Sequence, residues 1–489
     1  MKNIFIVVLL IPTLAAAQGT PLATEADRAK PAEVLPTIGS AIAPAAKAVL
    51  ANGLGLSLIE SHRLPLVSVT LVIPQAGSDA DPAGKDGLAG FVAAMAKEGV
   101  PGLPTAAALS DAIDDIGASI SVSAGSDGTT VSVVVLKENL ARAMELMGKI
   151  VREPAHLSGG PQYTAALERL RQQSLSGLEM EKGDPEALGT KRLASALFGD
   201  TPRGRAATEA SLNAITPADI AARHRASMVP NGAVLSVAGD ITLEELKAQA
   251  QANFGTWAPS VAAPAATTVA LAPAVSAPAA PGLIIELVDL PGEQAEMMLG
   301  VMSAPRLAAD YDALSMAVSV LGGPLVGRLE QNIRETHHWA YGARASMSAW
   351  KDGGETEIET KVQADKCGDA MGEILKEVEK LRTVAVPADE LAAAKTSLKG
   401  LYLQRNRTVQ SLSARQAAID TMGLPASTLN DYPARIDALT AAQVQAAANK
   451  WLDPKGLKIV IVGDAALLAP QLKAYGTVKI FDADGKPKA

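Results

Sequence analysis

Apolar and polar positions follow two periods along this chain, and from about residue 50 onward they predict alternating groups of strands and helices. Leu66 to Ile73 (LVSVTLVI) is almost wholly apolar and rich in β-branched residues, which predicts a buried strand. Gly87 to Lys97 and Ala106 to Ile116 predict helices. Strands follow around 120–124 and 130–136, then helices over 139–151 and 162–181. Strands and helices do not alternate one for one. The pattern therefore points to an α+β fold, with helices packed on a mainly antiparallel sheet.

The pattern then repeats. Ile215-Thr216-Pro217 leads to Pro230-Asn231-Gly232, an apolar strand and Gly239-Asp240; Leu439-Thr440-Ala441 leads to Pro454-Lys455-Gly456, another apolar strand and Gly463-Asp464. One interval separates every matching pair: Thr216 from Thr440, Pro230 from Pro454, Gly232 from Gly456 and Gly239 from Gly463. Each copy reads as a Thr-capped helix, a Pro/Gly turn and a buried strand. Between the copies, residues 258–281 are nearly all Ala, Pro, Val, Ser and Thr, a composition that makes an extended spacer rather than a core. This predicts two homologous lobes, 18–257 and 282–489, joined by that linker.

Composition narrows the function classes. With 489 residues, 48 % hydrophobic and 20 % charged, the chain can bury two full cores. A net charge of −8 argues against a nucleic-acid partner, whose phosphates demand a basic face. Residues 1–17 read as a signal peptide: Lys2, an apolar run from Ile4 to Leu14, and small residues Ala15-Ala16-Ala17. An exported, periplasmic protein without a membrane span is expected. Cys367 is the only cysteine, so no internal disulfide can form, and nothing near it in sequence suggests a nucleophile.

Residues 76–89 (AGSDADPAGKDGLA) closely resemble the approach to the active site in the insulinase/pitrilysin metallopeptidases, where a Gly-Leu-Ala triplet opens a helix carrying H-x-x-E-H. Leu197-Phe198-Gly199-Asp200 and Gly239-Asp240 resemble first-half signatures of that family. Val288-Asp289-Leu290-Pro291-Gly292, Leu321-Gly322-Gly323 and Arg328-Leu329 resemble second-half ones. The resemblance implies a clam-shell of two lobes around a chamber for peptides. It departs where Arg203 follows Pro202 in place of the usual Tyr, which is expected to alter the local interface.

The family's chemistry does not carry over. An inverted zinc motif needs two His on one helical face with a Glu between them as general base. Here the three positions are Gly90, Ala93 and Ala94. The resemblance places a third ligand, a Glu, in the stretch around Arg171 to Gly177, which contains no carboxylate. Glu168 and Glu179 flank that stretch and read as helix-surface charge. His62, His156 and His224 read as isolated surface residues, and the adjacent His337-His338 pair as part of a turn.

One feature of the family's site remains. Arg334 to Tyr341 (RETHHWAY) leaves a helix and enters a strand, and it resembles the family's Arg/Tyr pair, whose donors meet the substrate backbone and the developing oxyanion. The expected function is thus a non-catalytic subunit. Arg334 and Tyr341 would act in trans on a peptide beside the zinc of a homologous sister subunit, with no cofactor bound by this chain. The alternative is a non-enzymatic peptide-binding or scaffold protein of the same fold.

Overall fold

The computed structural model describes residues 42–260, 283–324 and 327–488. The signal-peptide reading and most of the linker reading fall outside these residues. Those described lie in one compact unit, Ile42–Ala489.

In the first lobe the order is β1 (Ala46–Val49), β2 (Gly55–Glu60), β3 (Leu66–Pro74), α1 (Leu88–Met95), α2 (Ala106–Asp114), β4 (Ser119–Ala124), β5 (Gly128–Leu136), α3 (Leu140–Arg152), α4 (Pro161–Glu181), α5 (Pro185–Phe198), α6 (Glu209–Ala214), α7 (Pro217–Ser227), β6 (Val234–Gly239) and α8 (Leu243–Phe254). The second lobe contains β7 (Leu283–Asp289), β8 (Gln294–Ser303), α9 (Tyr311–Gly322), a π-helical stretch (Glu330–Thr336), β9 (Ala340–Ala349), β10 (Gly354–Gln363), α10 (Cys367–Thr383), α11 (Ala388–Arg405), α12 (Val409–Met422), α13 (Thr428–Ala438), α14 (Ala441–Trp451), β11 (Lys458–Gly463), α15 (Ala465–Leu472) and β12 (Gly476–Phe481).

Each lobe holds a six-stranded sheet, ordered β1-β2-β6-β3-β5-β4 and β12-β7-β11-β8-β10-β9. Both are mixed rather than purely antiparallel. β2 and β3 run in opposite directions, and β6 inserts between them, so it must be parallel to one; it pairs parallel with β2 and antiparallel with β3. β11 repeats this between β7 and β8, and β12 adds a second parallel pairing. Leu71, Val133, Val237 and Phe254 are fully buried in the first core; Leu299, Leu321, Ile374 and Ile461 play the same part in the second.

The repeat governs more than the landmarks read from sequence. α7 and α14, β6 and β11, and α5 and α12 all begin and end at the interval that separates Thr216 from Thr440. Those two threonines cap the first pair with reciprocal capping boxes. The third pair is exchanged between lobes. α5 of the first half packs on β8 and β11 of the second sheet, while α12 of the second half packs on β3 and β6 of the first. Leu193 meets Met298 and Val460 in one contact; Ile419 meets Ile59 and Ala238 in the other. Each sheet thus covers its outer face with the other half's helix.

Candidate functional site

α1 carries the three positions where the family resemblance places zinc chemistry. Asp81 is buried and accepts the backbone N–H groups of Gly87 (3.2 Å) and Ala89 (3.1 Å), fixing the start of the helix. Gly87 has φ of 102°, a left-handed value that suits glycine. Ala93 faces the core, Ala94 is half-buried, and Gly90 is exposed, with no atom within 4 Å of where a Cβ would stand. None offers a metal a donor atom.

α4 packs across α1, and there the chain places a cation. The buried Arg171 guanidinium donates from Nη2 to the Ile215 carbonyl (2.8 Å), from Nη1 to the Leu212 carbonyl, and from Nε to Glu168 (3.1 Å). It lies 6.0 Å from the centre of the Phe91 ring, on the helix that bears Gly90, Ala93 and Ala94. A permanent positive charge held there opposes a divalent cation. Among the described residues, no group of three or more His, Cys, Asp or Glu side chains could hold a metal ion. These residues do not fit zinc. Glu168 holds Arg171 and Glu179 pairs with Lys182, so both carry structural charge. Cys367 is buried, and burial pushes its thiol up to about 12, which leaves it inert as a nucleophile at neutral pH.

The histidines require two corrections. His62 is exposed between Glu60 and Asp240, as a surface residue should be. His156 and His224 are instead buried, with rings edge-on at 5.7 Å. Burial pushes His224 down to about 4 and also lowers His156, so both are neutral at pH 7.

Arg334 and Tyr341 frame the turn from the π-helix into β9. Ile333 anchors the helix in the core, and Asn332 donates to Glu373 (2.8 Å) and Glu377 (3.2 Å). The helix stops at His338, whose φ of 57° is left-handed and whose Nδ1 hydrogen-bonds the Arg334 carbonyl (3.0 Å). His337 stacks on Trp339 at 4.1 Å. Both imidazoles serve the turn. Gly322 lets α9 approach β9 closely, since a Cβ there would stand 2.2 Å from the Ala345 nitrogen. Arg334 is half-exposed and pairs with Glu330 and, at 3.4 Å, with Glu335. The other oxygen of Glu330 accepts the Ala343 N–H (3.1 Å), tying the helix to β9. Sequence reasoning missed Glu330, although its i,i+4 spacing to Arg334 is a readable signal.

Tyr341 is 90 % exposed and, with Glu330, lines a cavity of about 1200 Å³. One wall is formed by β9 and β10, the latter bearing Glu359 and Lys361; the other is formed by α9, α11, α12 and α13. β9 is an edge strand of its sheet, as β4 is of the first. Arg344 closes on Glu359 (2.7 Å) and Lys361 on the buried Glu296 (3.2 Å). On the same face of β10, burial and neighbouring glutamates push Glu357 up to about 7. Arg203 binds Asp79 (2.8 Å) and Asp127, and its guanidinium lies 4.1 Å from the Trp350 ring of the second half. The residue that departs from the family pattern thus joins the two halves.

Comparison with known proteins accords with this geometry. The family model for insulinase, peptidase family M16, matches residues 57–208, and that for the peptidase M16 inactive domain matches residues 214–398. An uncharacterized zinc protease of Mycobacterium leprae is 27 % identical over 72 % of this chain and 77 % of its own length. A probable β subunit of the mitochondrial-processing peptidase of Arabidopsis thaliana is 25 % identical over 85 % of this chain and 77 % of its own. The crystal structure of a peptidase M16 inactive domain from Pseudomonas fluorescens aligns with a TM-score of 0.76 at 25 % identity, over 86 % of this chain and 98 % of that one. With both lobes matched in tandem, the chain belongs to the insulinase family of peptidases, family M16.

Proposed function

We propose that this protein is a peptidase-family subunit without a zinc site of its own, which presents Arg334 and Tyr341 to peptides cut at the zinc of a homologous sister subunit. The observation that carries this reading is a contrast between the halves. α1 offers Gly90, Ala93 and Ala94 beside the buried cation of Arg171, whereas Tyr341 stands almost fully exposed on a large cavity. A phenol and a guanidinium are the donors that a peptide carbonyl needs as negative charge builds on its oxygen. An extended peptide could add to the open edge of β9 or β4, its backbone satisfying the unpaired N–H and C=O groups there. The similarity to a processing-peptidase β subunit supports a paired assembly, and the apolar N-terminal run supports export to the periplasm.

The test is to co-express the chain with an M16 subunit bearing intact H-x-x-E-H and to assay an unstructured peptide. The pair should cleave faster than the zinc subunit alone. Arg334→Ala or Tyr341→Phe should remove roughly 100-fold of that gain, the usual effect of losing one oxyanion donor. Unchanged cleavage by both variants would rule the role out. One observation favours the alternative, a peptide-binding protein that cuts nothing: Arg334 is already held by Glu330 and Glu335. Peptide binding without any zinc-bearing partner in the purified complex would support that reading.

A further inference from the structure

The charges that line the cavity are of both signs, and they include Glu186, a carboxylate without an ionic partner among the described residues, whose charge acts on Glu296, Glu357 and Arg344. Arg344, Lys361 and Glu330 each have an ionic partner. Three other guanidiniums line the same space: Arg306 before α9, Arg405 at the end of α11 and Arg415 on α12. None of the three is paired with a carboxylate among the described residues. Arg306 rests 4.1 Å from the Tyr311 ring and Arg415 5.6 Å from the Tyr402 ring, so their cations are held by aromatic faces alone. Arg415 is half-buried, and burial together with Arg405 nearby works against its charge. A partly desolvated cation beside a like charge is a costly arrangement that an anion relieves.

Neutral donors stand with these cations. Tyr311 and Tyr432 line the cavity, and neither hydroxyl has a hydrogen-bond partner among the described residues. Burial and the neighbouring Asp312 push Tyr432 up to about 12, so it remains an O–H donor at any physiological pH. Asp312 itself is taken by Arg435 at 2.7 Å. Tyr402 also lines the cavity, but its hydroxyl is committed to the Leu429 carbonyl.

We propose that Arg306, Arg405 and Arg415, with the hydroxyls of Tyr311 and Tyr432, form a carboxylate-binding subsite of the chamber. It takes either the C-terminal carboxylate of a peptide or an acidic side chain within it. Planar guanidiniums match a carboxylate's two oxygens, and the phenols add donors without adding charge. The subsite rests on the reading of this cavity as a peptide chamber. An acidic protein thus keeps three guanidiniums together in one part of its chamber, where the local field is not set by the net charge.

Fluorescence anisotropy with the full chain tests the subsite, using one labelled peptide sequence in three forms: neutral with a free C-terminus, neutral and amidated, and acidic and amidated. At least one carboxylate form should bind about tenfold tighter than the neutral amide. Arg405→Gln and Arg415→Gln should each erase that difference while leaving the neutral amide's affinity in place. Preference for the free C-terminus identifies the terminal carboxylate; preference for the acidic amide identifies a side chain. Arg405 is exposed, so its variant keeps the fold, and an unchanged melting curve verifies this. Equal affinity for all three peptides, or a difference that survives both substitutions, would overturn the subsite and leave the chamber reading standing. Failure of every peptide to bind would overturn both.

Discussion

His224 is only 3 % exposed, and its ring meets that of His156 edge-on. Its Nε2 and that of His156 are buried without partners, so neither site solvates an added proton. Burial is the first cause of the fall to about 4 from an ordinary 6.5; His156 and Arg225 add to it. The folded state therefore binds this proton less readily than the unfolded chain. The associated stability is fully present above pH 6.5 and is lost as pH falls from there to about 4, a loss of roughly 3 kcal/mol by linkage. Urea midpoints measured from pH 7 to 4 should fall, and His224→Gln should flatten that fall. An unaltered slope in the variant would assign the acid sensitivity elsewhere. The sequence hid this residue behind Arg223 and Arg225. Its place on the buried stripe Ile220, His224, Ser227 was nonetheless readable from helical spacing. Gly90, Ala93 and Ala94 were legible for the opposite reason, because they lack donor atoms wherever the helix lies. The cation supplied by Arg171 was not, since its partners, the carbonyls of Leu212 and Ile215, belong to a different and later part of the chain.

At the scale of elements, the exchanged helices are what sequence reasoning could not assign. The constant offset was visible in Thr216 and Thr440, and it extends without a gap to α5 and α12. An amphipathic helix announces an apolar face but not which sheet receives it. The contact of α12 with β3 is specified by a polar cluster as well as by Ile419. Ser413, fully buried, donates its hydroxyl to the Gln410 carbonyl (3.0 Å) and lies 2.9 Å from both Ser68 and Thr70. Its one proton is spent on Gln410, so Ser68 and Thr70 must both donate to it. Ser413→Ala removes that acceptor and leaves two buried hydroxyls unsatisfied, at a cost of about 1–3 kcal/mol. Chemical denaturation should show the lowered midpoint, and the triple change to Ala at 68, 70 and 413 should recover part of it. If the single variant were as stable as the parent, the cluster would not be helping to seat α12. The strand β3 was legible as an apolar run, but β2 and the insertion of β6 between the two were not, because strands that pair from opposite ends of a lobe's sequence leave no local trace.

For the whole molecule, reciprocal exchange makes each half a requirement for the other. Without α12, the outer face of the first sheet would expose Ile59, Ala238, Ser68 and Thr70 to water. Without α5, the second would expose Met298 and Val460. Fully burying one such aliphatic side chain contributes about 1.5–3 kcal/mol, and a typical domain retains only about 5–15 kcal/mol in total. A severed half would forfeit its covering helix while its own exchanged helix, α5 or α12, lost its target. Arg203 on Trp350 and the Phe198–Trp350 ring contact at 5.8 Å add further links between the halves. Calorimetry of the intact chain should therefore give one cooperative transition rather than one for each lobe. Residues 42–257 or 282–489 expressed alone should bind hydrophobic dyes and melt without a sharp transition, and mixing the two should restore the cooperative peak. Two well-separated transitions in the intact protein would mean that the lobes are coupled only loosely. That outcome would bear on function, since a chamber walled by β9 on one side and by the crossed-over α12 on another keeps its shape only while the exchange holds.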